Sequence, residues 1–83
     1  MDFELLFTKR ALETLKSLPR AVQRRLVARF DELERFPHNL SEGQETDAVG
    51  RLYDVNRCAG IEIYYWIDVP DRHLKIMALK RVA

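Results

Sequence analysis

Cysteine, glycine and proline are all scarce in this sequence, at one, three and three residues. The lone Cys58 excludes an intramolecular disulfide, so a reducing cytoplasm is the expected location. It falls in a predicted turn with no histidine beside it, and reads as structurally incidental rather than reactive. No charged-then-apolar leader opens the sequence, and no apolar run approaches the roughly 20 residues of a membrane span. No membrane partner is therefore expected. The two histidines, His38 and His73, are isolated and there is no cysteine pair, so no metal site is expected. Gly43, Gly50 and Gly60 are spaced as turn residues and not as a phosphate-binding loop. No serine or cysteine stands in the pattern of a hydrolase triad. No cofactor is expected.

What is present is a chain of 83 residues, 47% of them hydrophobic, which argues against disorder and for one domain over residues 1–83. The net charge of +1 says little, but its distribution says more. Lys9 to Arg35 holds eight basic and four acidic residues, whereas Glu42 to Asp68 holds two basic and six acidic. Asp71 to Arg81 returns to four basic against one acidic. Positive helices around a negative middle suit a binding protein, although charged surfaces often serve only solubility.

Phe3, Leu5 and Phe7 alternate as in a short strand with a buried aromatic face. Thr8 offers an N-cap, and Ala11, Leu12, Leu15 and Leu18 follow at helical spacing. Pro19 ends that helix and opens the next, which runs from about Arg20 to Phe36 before Pro37 stops it. Val22, Leu26, Phe30 and Leu33 form the inner stripe of this second helix. From Pro37 to Val49 there is no period, and a polar loop is predicted. Strands are predicted over Arg51 to Arg57, Ile61 to Asp68 and Leu74 to Val82. Ile61, Ile63, Tyr65 and Ile67 share one face of the middle strand, with Glu62, Tyr64 and Trp66 on the other. Leu74, Ile76 and Ala78 are predicted to point inward from the last strand. These three strands make an antiparallel meander, and the two helices are the only lid for its apolar face.

Two surfaces are candidates for function. Arg20, Arg24, Arg25 and Arg29 on the second helix could neutralise phosphates or an acidic partner, or be a solvated face. Tyr64 and Trp66, predicted to be exposed, could stack on bases or anchor a partner segment. Glu62 and Asp54, read as lying on that same face, would repel phosphate and so favour a protein partner.

The opening strand ending in Phe7-Thr8, "ALETLKSLPRAVQRRLVARFDELERFP", "LYDVNR", "AGIEIYYWID" and "LKIMALKRV" together resemble the RelE/ParE family of type II toxin–antitoxin toxins over the whole chain. The resemblance implies an α+β fold, β-α-α-β-β-β, with a curved antiparallel sheet and two antiparallel helices packed on one face. It implies a toxin that is held by a cognate antitoxin in a hetero-oligomer. The family's best-known activity is ribosome-dependent mRNA cleavage without a metal, in which basic residues stabilise charge as a ribose 2′-hydroxyl attacks phosphorus. The ParE branch acts instead on DNA gyrase by binding.

Carried over by position, the family's basic residues on the strand after the helices fall near Asp54 and Asn56, and neither is a cation. The arginine of its "GxRxxY" stretch falls at Glu62. The basic residue closing the last strand is matched by Lys80 or Arg81, and Arg57 stands displaced toward the turn. The aromatic or acid–base residue often found just beyond has no match before Ala83. The resemblance therefore implies either a rearranged catalytic set, with Glu62 or Asp54 as general base beside Arg57, Lys80 and Arg81, or a non-catalytic binding module of the same fold. Asp54, Asn56, Tyr64, Trp66, Arg24, Arg25 and Arg29 are the candidate binding residues, with antitoxin, ribosome and mRNA, or gyrase as the partners implied.

Overall fold

The two helices, the Thr8 cap and the three-strand meander appear where the sequence places them in the computed structural model, which describes residues 2–82. The elements are β1 (Glu4–Phe7), α1 (Lys9–Ser17), α2 (Arg20–Arg35), β2 (Gly43–Thr46), β3 (Leu52–Cys58), β4 (Ile61–Asp68) and β5 (His73–Arg81). Thr8 caps α1 by accepting from the Ala11 N–H at 3.1 Å. The same hydroxyl donates to the Met77 carbonyl at 2.8 Å, tying the helix start to β5. Pro19 stands at the N-cap of α2. At this corner the Gln23 side-chain amide donates to the carbonyls of Leu15, Lys16 and Leu18, at the end of α1 where helical partners run out.

The five strands form one sheet in the order β1-β5-β4-β3-β2. β2, β3, β4 and β5 are antiparallel neighbours, while β1 lies parallel to β5. The sheet is thus α+β as expected but mixed, with one strand more than the periodicity shows. β2 carries no pattern because its four residues are all exposed, so no apolar alternation marks it. The parallel pair has no local signal because β1 and β5 stand at opposite ends of the chain.

The helices cover one face. Ala11 and Leu18 from the first helix segment, and Leu26, Phe30 and Leu33 from α2, pack on Ile61, Ile63, Tyr65, Leu74, Ile76 and Leu79. Each large apolar side chain among them contributes about 1.5–3 kcal/mol by leaving water. Tyr65 is fully buried, and its hydroxyl donates to the Pro37 carbonyl at 2.8 Å. Burial, with the nearby Asp54 carboxylate, pushes its phenol well above the usual range.

One inward assignment changes. The pairing of β4 with β5 shifts between Tyr64 and Tyr65, so Tyr64 opposes Ala78 while Tyr65 opposes Ile76. Met77 is the extra residue of this bulge. Beyond it the alternation flips: Leu79 joins the helix-side core, and Ala78 joins Val55 and Tyr64 on the other face. Among the described residues, no helix is long and apolar enough to cross a membrane.

Candidate functional site

The sheet face away from the helices carries three rows of side chains, because residues opposite one another in register share a face. Arg57, Glu62 and Lys80 form one row, Val55, Tyr64 and Ala78 the next, and Trp66 and Lys75 a third. In the first row Arg57 Nε donates to Glu62 Oε2 at 3.0 Å. Lys80 Nζ lies 4.7 Å from the centre of the Tyr64 ring.

Tyr64 sits at the middle of this face. It is only 7% exposed, where the sequence predicts an uncovered aromatic. β2 and Lys80 are the reason: the phenol approaches Glu45 Oε2 at 3.0 Å and Glu62 Oε1 at 3.1 Å, and Lys80 closes over the ring. A phenol has one hydrogen, so it donates to these two carboxylates alternately. Burial, then the hydrogen bonds to Glu45 and Glu62, pushes its pKa up to about 12. Tyr64 is therefore a donor near neutral pH and not a base.

A cleft of about 120 Å³ opens beside it, lined among others by Arg10, Glu45, Asp47, Tyr53 and Lys80. Asp47 accepts from the Arg51 and Val49 N–H groups and from the Tyr53 hydroxyl. The Arg51 amide, then the Tyr53 hydroxyl, holds its carboxyl below the usual range. The same hydrogen bond to Asp47 raises the Tyr53 phenol. Arg10, Glu45 and Asp47 are not singled out by the sequence. Glu45 and Asp47 lie in or beside the unpatterned β2, and Arg10 reaches the cleft from a helix whose pattern reports only its inner stripe. The aperiodic acids of the segment 42–47 are the one signal that points toward them.

Three candidate residues, Asp54, Asn56 and Arg81, lie off the open face. Asp54 opposes Tyr65 and Asn56 opposes Ile63, so both project to the helix side, away from Glu62. Asp54 accepts from the Ser41 hydroxyl at 2.7 Å and from Gln44 at 3.4 Å. Asn56, 2% exposed, donates to the Leu40 carbonyl and to Glu42. Asn56 Oδ1 accepts from Arg29, whose guanidinium also reaches the Arg57 carbonyl and Glu32. Arg29 and Asn56 are thus a structural pair, and only Arg24 and Arg25 of the binding trio remain exposed. Arg81 opposes Ile61 and lines a hollow with Leu18, Pro19 and Val22, which removes it from the Arg57–Glu62–Lys80 row.

Trp66 remains on the open face, as predicted, at 37% exposure. The Lys75 ammonium stands 4.7 Å from its ring centre. His73, isolated in sequence, meets Asp68 and Asp71 in the β4–β5 turn, with ligand-type atoms within 4.8 Å of one another. That group is already engaged: Asp68 lies 3.7 Å from Lys75 Nζ and accepts from the Asp71 N–H, and His73 lies 3.6 Å from Glu4. Cys58 packs against the core with its thiol 3.7 Å from the Arg25 carbonyl.

No family model and no curated protein sequence matches this chain. Solved structures do. The toxin–antitoxin complex RelBE2 of Mycobacterium tuberculosis contains a chain 19% identical, superposing with a TM-score of 0.81 over 98% of this chain and 99% of that one. The archaeal RelE–RelB complex of Pyrococcus horikoshii gives 24% identity and a TM-score of 0.71 over 98% and 96%. The intact RelBE toxin–antitoxin complex of E. coli gives 16% and 0.76 over 98% of both chains. With the whole of the described architecture superposing end to end on these chains, the protein has the RelE fold.

Proposed function

We propose that this protein is the toxin of a toxin–antitoxin pair and arrests growth by cleaving mRNA on the ribosome, without a metal ion. The observation that carries this reading is the Arg57–Glu62–Lys80 row beside Tyr64, on the face no helix covers. Transfer at phosphorus needs a base at the attacking oxygen, a donor at the leaving oxygen, and cations around the oxygens that gain charge. Glu62 takes the proton of the ribose 2′-hydroxyl as that oxygen bonds to phosphorus. The bond from phosphorus to O5′ breaks, Lys80 gives a proton to O5′, and a 2′,3′-cyclic phosphate remains. Arg57 and Arg10 stabilise the non-bridging oxygens, and Tyr64 donates to one of them. Asp54, an objection to phosphate binding in the sequence, faces the other side of the sheet and weighs no longer.

The partner proposed is a cognate antitoxin, since the RelE chains of the similar structures stand in complexes with RelB. Arg24 and Arg25, exposed on α2, suit an acidic segment of it. A second reading keeps the fold without the chemistry and draws on the Arg57–Glu62 ion pair, which already neutralises a cation at 3.0 Å. Such a protein would act by binding a protein target of the gyrase type.

Mapping mRNA 5′ ends in a purified translation reaction decides between them. New ends inside A-site codons are expected with the wild type and are expected to fall at least ~100-fold with Glu62→Gln or Lys80→Ala, the scale of one acid–base group. Growth arrest without new ends would sink the nuclease reading and leave the binding one.

A further inference from the structure

Beyond the row of charged residues, the open face holds a second feature that the cleavage chemistry does not use. A groove of about 280 Å³ runs between β1 and the Trp66 end of the sheet, lined by Leu6, Phe7, Arg51, Trp66, Lys75 and Met77. Among the described residues its charged lining is two cations, with no carboxylate. The neighbouring cleft at Tyr64 is different, with Arg10 and Lys80 balanced by Glu45 and Asp47. An apolar floor, an indole and two cations, with no opposing acid in the lining, match a nucleotide: a flat base with a phosphate on either side. Trp66 lies two residues along β4 from Tyr64, a step of about 6.6–6.8 Å. That is a span one nucleotide can bridge.

The geometry points to Trp66 as the stacking platform for a base of single-stranded RNA, with Lys75 and Arg51 receiving its flanking phosphates. The inference rests on the proposed mRNA-cleaving role and gives that role a base-binding subsite adjoining the scissile phosphate. Lys75 steadies the indole by its cation–π contact and is itself positioned by Asp68 at 3.7 Å. Met77, which the bulge inserts into β5, brings its side chain into the groove wall beside Trp66. The bulge thus shapes this subsite as well as the strand register.

Trp66 is the one tryptophan of the chain, so intrinsic tryptophan fluorescence reports on this subsite alone. The probes are a short 2′-O-methyl oligouridylate, which cannot be cleaved by 2′-hydroxyl attack, an abasic phosphodiester of equal length, and a polyglutamate peptide. Saturable quenching by the oligouridylate with little by the abasic strand is expected. By anisotropy of a labelled oligouridylate, Trp66→Ala is expected to weaken binding by about 5- to 150-fold, the range of one stacked base, while Trp66→Phe keeps most of it. Equal quenching by the abasic strand, quenching by polyglutamate alone, or unchanged affinity in Trp66→Ala would overturn the subsite. The cleavage assay separates the two ideas. Mapped A-site ends with no base-dependent quenching sink the subsite only, whereas base-dependent quenching without new ends supports the subsite and sinks the nuclease reading.

Discussion

Asn56 shows how one buried polar side chain sets the role of its neighbours. Its amide is 2% exposed and joins Leu40, Glu42 and Arg29, so its removal leaves the Leu40 carbonyl without this donor and takes one partner each from Arg29 and Glu42. Asn56→Ala is expected to cost about 1–3 kcal/mol, the penalty for buried groups left unpaired. A urea midpoint equal to the wild type would refute the network. Tyr64 makes the second prediction at this scale. An unfolded tyrosine titrates near 10.0 and this one near 12, because burial and two carboxylates favour its neutral form. The folded state therefore holds the proton more tightly. The stabilisation is complete below pH 10 and is lost as pH rises through 12. Tyr64→Phe is expected to lose less stability than the wild type between those values, as read from urea midpoints across alkaline pH. Parallel losses in the two proteins would contradict it.

Among elements, β5 and the α1–α2 corner carry the sharpest tests. Were β5 a regular strand from Leu74 onward, Leu79 would point away from the helices and its truncation would cost within about 0.5 kcal/mol. With the bulge at Met77, Leu79 is a core residue, and Leu79→Ala is expected to cost about 2–5 kcal/mol in chemical denaturation. At the corner, Gln23 closes the end of α1 through three carbonyls. Gln23→Ala is expected to lower stability by about 0.5–1.5 kcal/mol, with a wild-type midpoint as the contrary result. β2 shapes the open face despite its four exposed residues, because Glu45 reaches across to Tyr64 and helps bury it. An edge strand so short and polar also discourages pairing with another chain.

The whole molecule presents cations on two separate surfaces. Arg10, Arg51, Arg57, Lys75 and Lys80 stand toward the open side, while Arg24 and Arg25 stand on α2. If five cations meet an RNA strand, the logarithm of affinity is expected to fall with the logarithm of salt at a slope of about −3.5. Arg24→Glu with Arg25→Glu is expected to leave that slope unchanged while weakening an antitoxin complex. A slope that flattens in the double variant would move the RNA track onto the helices.

Strongly periodic residues are legible from the amino-acid sequence. The stripe Val22, Leu26, Phe30 and Leu33, the Thr8 cap, the Pro19 corner and the inward set Ile61, Ile63 and Tyr65 each follow from local stereochemistry and burial. The sequence by itself therefore determined the helices, their inner faces and the meander. Tertiary structure alone decided which chemistry shares a surface. A shift of one residue moves a side chain to the other face of a sheet, so register separated Arg57, Glu62 and Lys80 from Asp54, Asn56 and Arg81. Pairing between chain ends made β1 parallel to β5, and an unpatterned polar segment supplied the strand that covers Tyr64. Neither has a local signal, because the free energy that fixes each comes from contacts distant in sequence.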